Sequence, residues 1–418
     1  MGADSPDCSY LSLLNHLGVG PNNHAHSVLR PVRHWKTPTN VLVDLYLSVI
    51  IEVNEKFQSL TTGVFMATSW TNELVQWDPR DFCGISMISI PKEYLWRPAT
   101  SVLESIEAKL SYTDSPYLNM LPFGFVFMAE TYKITSTCRM DLYKFPFDTQ
   151  QCQLTVLPIM NTIDQIRLSP SSNSSDVTAG SLTVFQTQGE WDLISIHVST
   201  DNLTVDARVW DKVVYTITIS RRPQLYVINF LVPIFLFLVL DLMSFFMNEA
   251  RGEKLSFKIT ILLAISVLLL ILHDILPSTH QKTPLIGVFC TGIFMFVGCS
   301  IAETIAVSFL MRMASKCDTL AATRGTLETR TEEGGSQQTG SEGAGGADDE
   351  AAIAALLRLI LREMQALQEQ SSSDHARHAG TTCLYLTTVA KGINTLYFLL
   401  YICAVLVFLA EVGKQWYY

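Results

Sequence analysis

Charge is scarce in this sequence. Only 16% of its 418 residues are Asp, Glu, Lys or Arg, and 29 Lys and Arg stand against 39 Asp and Glu, a formal net charge of −10. That balance, with no basic patch anywhere along the chain, argues against nucleic acid as a partner. The short signatures of common catalytic machineries are missing as well. HExxH, G-x-S-x-G, P-loop and dinucleotide fingerprints are all absent, so an enzyme is not expected. The opening MGADSPDC is too polar for a signal peptide, and a leader is expected to have been removed ahead of it.

Apolar residues, by contrast, are plentiful: 48% of the chain, with a mean hydropathy of +0.25. They are concentrated in runs at 225–246, 255–276 and 284–311, and in a fourth at 386–412. Each is long enough to approach a bilayer span of about 20 helical residues. Arg251 and Lys254 follow the first run, and Arg312 and Lys316 follow the third. Both connections should therefore be cytoplasmic, which places both chain termini outside.

The second run carries a polar stripe. Glu253, Ser256, Thr260, Leu263, Val267, Ile271 and Asp274 follow one another at steps of 3, 4, 3, 4, 4 and 3. That spacing is one face of a helix. The stripe is acidic at both ends, hydroxylic in its inner half and aliphatic in the middle. Several such helices around an axis would form carboxylate rings at the mouths and a hydrophobic constriction at Leu263 and Val267. Those are the devices by which cation pores select charge and gate by dewetting. A tether would need one span and no such stripe.

Residues 1–222 read as a soluble domain. A short helix is expected over 7–18, followed from Asn40 by alternating runs such as VLVDLYLSVIIEV, LTVLPIM, SLTVFQTQ, WDLISIHV and VVYTITIS. Clusters of Pro, Asn, Asp and Ser separate them, which suggests an immunoglobulin-like all-β sandwich of about ten strands. Four of the nine cysteines (Cys8, Cys83, Cys138, Cys152) and the sequons at Asn173 and Asn202 lie in this domain. Together they suggest an oxidising, glycosylated extracellular face. Cys138 and Cys152 enclose thirteen residues, RMDLYKFPFDTQQ. A disulfide there would close a loop whose Phe145 and Phe147 are expected to be exposed and to seek an apolar partner.

A thirteen-residue Cys loop with F-P-F-D, an Arg221-Arg222-Pro223 strand end and four spans resembles the Cys-loop pentameric ligand-gated ion channel family. The resemblance covers nearly the whole chain. It implies a homopentamer or an assembly with related subunits in the plasma membrane, conducting Na+, K+ and, as a further candidate, Ca2+. It also implies a pore lined by the second span and a ligand site between neighbouring sandwiches. In such proteins Phe145, Pro146, Phe147 and Asp148 would couple to the linker at 275–284. Similarity to serotonin type-3 members lies in RPVRHWKTPT, GEWDL, LSFKIT, TPLIGV and AETI. Similarity to zinc-activated members lies in Leu95-Trp96-x-Pro98 followed by Leu103-Glu104.

By the same resemblance, the ligand-site positions are Phe65, Trp96, Ile159, His197 and Trp210. Phe65 and Ile159 stand where serotonin receptors carry tryptophan, and the loop between Val198 and Lys212 has neither a tyrosine cluster nor vicinal cysteines. An amine cage needs several aromatic faces around the cation, so zinc is expected as the agonist, with copper and protons as further candidates. A serotonin-gated or accessory subunit is the alternative. His197 with Asp201, and His24 with His26, are the metal-ligand candidates, the latter pair sharing one side if the chain is extended there. No permanent cofactor is expected.

Within the membrane, Asp241, Lys258 and Glu303 fall at one depth, and Lys258 is expected either to pair with Asp241 or Glu303 or to snorkel to the interface. Pro233 should bend the first span. Residues 313–348 are polar and Gly-, Ser- and Glu-rich and are expected to be disordered, with a cytoplasmic amphipathic helix over 349–371 and an extracellular tail at 413–418.

Overall fold

The computed structural model describes residues 9–21, 23–110, 115–186, 189–247, 253–275, 283–332, 362, 385 and 387–417, with side chains between 317 and 332 left aside. The described residues divide into two compact units. The first holds residues 9–229 with 271–286, and the second holds 230–270 with 287–417.

In the first unit, helix α1 (Tyr10–Leu17) is closed by Ser9, whose hydroxyl accepts from the Ser12 amide, and by Gly18 at a positive φ of 63°. A left-handed C-cap suits glycine because no Cβ opposes it. Eleven strands follow among the described residues. Strands β1 (Thr39–Asn54), β2 (Ser59–Thr71), β3 (Ile88–Pro91), β5 (Ser105–Leu110), β6 (Tyr117–Met120), β7 (Phe125–Thr137) and β9 (Ile166–Pro170) form one sheet. Its order is β3-β6-β7-β2-β1-β9, with β5 also on β7. Strands β4 (Ser101–Val102), β8 (Thr149–Leu157), β10 (Trp191–Val205) and β11 (Arg208–Arg221) form the other, in the order β10-β11-β8-β4.

Alternation makes the core. Val41, Val43, Leu45 and Leu47 of β1 are fully buried, as are Val213, Tyr215, Ile217 and Ile219 of β11. A period of two sends each set to one face of its sheet. The Tyr215 hydroxyl donates to the Val43 carbonyl over 2.8 Å, tying β11 to β1 across the core. Burial pushes its phenol pKa upward, with Asp44 adding to the shift.

Two expectations of secondary structure fail in this unit. SLTVFQTQ begins as the end of a helix, α3 (Ser174–Val184), instead of as a strand. Asn173 caps it by accepting from the Asp176 amide over 2.9 Å, and Val177 and Ser181 are buried. Cap and tertiary packing override the local β-propensity of Leu-Thr-Val. The PNNHAH segment is not extended either. His26 lies in a one-turn helix, α2 (Ala25–Val28), with His24 at its N-cap. Residues two apart on a helix point to different sides, so the two imidazoles do not share a face.

The second unit is helical. Among the described residues, four helices are long and apolar enough to cross a membrane: Gln224–Ser244, Glu253–Ile275, Leu285–Lys316 and Thr387–Tyr417. The first begins in the other unit and passes through a π turn at Val227–Leu231 just before Pro233. The wider turn accommodates a residue that has no amide hydrogen to give. The third helix continues to Glu332, so the first part of the segment expected to be disordered is helical. Extending a helix already nucleated in the membrane costs far less than starting one, and residues 313–332 contain no proline. The amphipathic helix at 349–371 and most of the linker at 275–284 lie outside the described residues.

Candidate pore face and extracellular sites

On the second span the seven stripe residues from Glu253 to Asp274 are all exposed, including Leu263 at 64%, Val267 at 51% and Ile271 at 46%. The opposite face, with Lys254, Lys258, Ile261, Ile265 and Leu272, is buried. Packing therefore chooses one side of this helix for the protomer's interior and leaves the stripe outside it. Thr260 donates its hydroxyl to the Ser256 carbonyl over 2.9 Å. From Glu253 to Asp274 the rise is about 32 Å, the thickness of a bilayer's hydrocarbon core.

Of the two carboxylates expected near Lys258, Asp241 makes the ion pair. Lys258 Nζ lies 3.4 Å from Asp241 Oδ1, donates to the Ser300 hydroxyl and sits 4.1 Å from the centre of the Phe245 ring. Ser300 donates to Asp241 Oδ1 over 3.0 Å, and Tyr401 donates to Oδ2 over 2.7 Å. All four spans therefore contribute to one fully buried polar cluster. Glu303 is buried near it and accepts from the Thr304 hydroxyl at 3.4 Å.

In the first unit, Cys138 and Cys152 are disulfide-bonded. The loop between them does not expose both aromatics. Phe145 is fully buried, while Phe147 is 45% exposed. What buries Phe145 is a cation. The Arg221 guanidinium lies 4.7 Å from its ring and 4.2 Å from that of Trp191, and Tyr226 meets Phe145 edge-on at 4.8 Å. Arg221 also pairs with Asp148 at 2.8 Å and with Glu55 at 2.8 Å. Desolvation works against its charge, but Asp148 and Glu55 outweigh it and hold the guanidinium protonated. From the same loop, the Tyr143 carbonyl accepts the Leu285 amide over 2.9 Å, at the start of the third span.

The proposed ligand positions fall into separate groups. The Trp210 indole donates to the Ile159 carbonyl over 3.2 Å. Trp96 packs edge-on against Trp70 at 6.1 Å. Phe65 lies 6.3 Å from Tyr46 and lines a pocket of about 470 Å³ with Thr131, Gly180 and Val184. His197 is exposed and meets the Ser174 hydroxyl at 3.4 Å. Asp201 is four residues further along β10, about 13 Å away at strand rise, and pairs with Lys212 at 2.9 Å. That hydrogen bond holds its carboxyl below the usual range. Among the described residues, no three His, Cys, Asp or Glu side chains converge as a metal site within one chain. Asn173 and Asn202 are exposed.

Residues 13–223 match the model of the neurotransmitter-gated ion-channel ligand-binding domain, and residues 230–334 that of the corresponding transmembrane region. The chain belongs to the neurotransmitter-gated ion-channel family. Similar family members include the mouse 5-hydroxytryptamine receptor 3A, 34% identical over 75% of this chain and 63% of that protein. The human 5-hydroxytryptamine receptor 3E is 33% identical over 68% of this chain and 62% of its own length. The human neuronal acetylcholine receptor subunit beta-3 is 28% identical over 71% and 63%. The chain thus spans less than two thirds of each of these relatives.

Sequence reasoning marked Arg221 as a strand end but missed its contacts with Phe145, Asp148 and Glu55, and it missed Ser300 and Tyr401. Arg221 carried a signal: it ends the last strand beside an acid-bearing Cys loop. A tyrosine near the middle of the fourth apolar run gives, in one dimension, no sign of the carboxylate that it meets.

Proposed function

We propose that this chain is a subunit of a pentameric, ligand-gated, cation-selective channel of the plasma membrane. The observation that carries the reading is the uncovered stripe of the second span. A protomer that packs Lys254, Lys258 and Ile265 inward and leaves Glu253, Leu263, Val267 and Asp274 bare has prepared a face for an axis shared with other copies. Around that axis Glu253 and Asp274 concentrate Na+, K+ and Ca2+, and Leu263 and Val267 close the path by excluding water. The buried Phe145–Arg221 contact and the Tyr143–Leu285 bond support a coupling role for Phe145, Pro146, Phe147 and Asp148.

The agonist we propose is zinc, with copper and protons acting at the same groups. Supporting this are Ile159 in place of an aromatic face and the engagement of the Trp210 indole by the Ile159 carbonyl. His197, His24 and His26 stand apart within one chain, so coordination would be completed by a neighbouring subunit. A second reading, a serotonin type-3-like amine-gated or accessory subunit, is favoured by the relatives and by the aromatic lining at Tyr46 and Phe65. Whole-cell current from cells expressing this chain alone, stepped through zinc, acid and serotonin, separates the two. Zinc-evoked current lost in His197→Ala supports the metal reading. Current to serotonin alone, lost in Trp210→Ala, overturns it. Silence to every agonist with the chain at the surface refutes a self-sufficient channel.

A further inference from the structure

Strand β10 is the outer strand of its sheet, with β11 on its inner side. An outer strand offers a row of backbone groups to any other chain that can pair with it. Over part of β10, helix α3 covers that row. The Thr178 hydroxyl accepts the Ile196 amide over 3.0 Å, and the Ser174 hydroxyl accepts the Val198 amide over 2.9 Å. Two side-chain oxygens thus stand in for a neighbouring strand. Beyond Val198 the cover stops. From Ser199 to Val205 every residue but Leu203 is exposed. Antiparallel pairing turns alternate amides to the same side, so those of Thr200, Asn202 and Thr204 follow Ile196 and Val198 toward the open edge. Asp201 is the one charged residue of this stretch, and it is paired with Lys212 at 2.9 Å. Charge therefore does little to protect the edge.

The two N-glycosylation sequons of the sequence, Asn173-Ser174-Ser175 and Asn202-Leu203-Thr204, both fall on this edge. Asn202 lies within the uncovered stretch. Asn173 caps α3 beside Ser174, the residue that bonds the Val198 amide. Its Oδ1 accepts from the Asp176 amide over 2.9 Å and from the Ser175 hydroxyl over 2.6 Å. Its Nδ2 makes no hydrogen bond among the described residues. A sugar on Nδ2 therefore leaves the cap intact. Ser171 and Ser172, just before it, give their amides to Asp44, each over 3.0 Å. The attachment point is held at both ends.

We propose that Asn173 and Asn202 carry N-linked glycans, and that these guard the open edge of β10 against pairing with another chain. In each transfer a bond forms between Nδ2 and C1 of an N-acetylglucosamine. The C1–O bond to a lipid-linked diphosphate donor breaks, and Nδ2 gives up one proton. A glycan is bulky and hydrated, and a strand cannot dock where one stands. The inference rests on reading the first unit as facing outside the cell.

The full-length chain, expressed in animal cells and purified in detergent, tests it. Release of N-glycans by a glycosidase in 18O-water converts an occupied asparagine to labelled aspartate, read by mass spectrometry. Label is expected at both asparagines, and absence from either overturns the assignment. Orientation is read separately, by a membrane-impermeant amine reagent on intact cells. Lys109, whose side chain is 68% exposed, should react. A reacting Lys109 with an unlabelled asparagine overturns the glycan alone, and an unreactive Lys109 refutes the outward reading too. For the guarding role, Asn173→Gln with Asn202→Gln should raise the aggregated fraction on gel filtration severalfold. Adding Thr200→Lys, a charge on the same edge, should return it to the wild-type level. Aggregation unchanged in the double variant, or not relieved by Thr200→Lys, overturns that role.

Discussion

The Tyr401 hydroxyl donates to Asp241 Oδ2 over 2.7 Å, joining side chains 160 positions apart in the chain. Through Asp241 the fourth span is hydrogen-bonded to the same carboxylate that pairs with Lys258 on the second span and accepts from Ser300 on the third span. The helix bearing the stripe is therefore held in rotation by a buried charge and three partners.

Removing one member should show this. Lys258→Met leaves Asp241 buried and uncompensated, at a cost of about 3–5 kcal/mol, and surface expression should collapse. Lys258→Met with Asp241→Leu should recover a substantial part of it, since a fully apolar replacement removes the stranded charge. Tyr401→Phe should cost about 1–3 kcal/mol, read as a lower melting temperature of the purified full-length chain. Wild-type melting and currents in Lys258→Met would remove the cluster from any structural role.

Arg221 is the corresponding fixed point in the sandwich. Arg221→Lys keeps the charge but loses the planar stack between Phe145 and Trp191 and the fork to Asp148 and Glu55. Agonist-evoked current should fall severalfold while the chain still reaches the surface. Arg221→Met should abolish surface expression, because Asp148, only 3% exposed, is left without its cation. Surface biotinylation and current recorded together separate the two effects.

The gate assignment has its own test. Leu263→Thr puts a hydroxyl into the aliphatic ring and should produce current at rest or a shift to lower agonist concentration. A variant as silent at rest and as sensitive as the wild type would move the gate elsewhere, with Val267 next.

Neutralising the mouths should lower throughput without preventing opening. Glu253→Gln with Asp274→Asn should reduce single-channel conductance severalfold at low salt, and less at high salt where the rings are screened. Unchanged conductance at low salt would mean that neither carboxylate faces the ion path.

A pH dependence follows from Glu130. Burial works against its ionised form, but the hydrogen bonds from Lys92, at 2.8 Å, and Tyr132, at 2.6 Å, outweigh it and depress its pKa. A depressed folded-state pKa contributes stability above the unfolded value of about 4.3 and loses it as pH falls through the folded value. The melting temperature of the full-length chain should therefore decline below that pH, and the decline should be shallower in Glu130→Gln. Parallel curves would exclude this site.

Several features could be read along the chain because their physics is local. A stripe spaced by three and four residues, from Glu253 to Asp274, needs only the helical period to define a face. The alternation of Val41 to Leu47 needs only the strand period. Four long apolar runs and a disulfide over thirteen residues needed little more. Partner choice was different. Asp241 and Glu303 lay at one depth by sequence, and only the packing of the third and fourth spans, with Ser300 and Tyr401 already aimed at Asp241, selected it. Phe145 looked like an exposed loop aromatic because the cation that covers it ends a strand 76 residues later. The helix at α3 replaced an expected strand because a cap at Asn173 and burial of Val177 outweighed propensity. The helical turn at His26 separated two imidazoles that an extended chain would have aligned. Periodicity and length are properties of a segment, so the sequence by itself determined the spans, the polar stripe of the second span and most of the sandwich strands. Burial and charge pairing depend on what lies across the fold, and those only the tertiary structure decided.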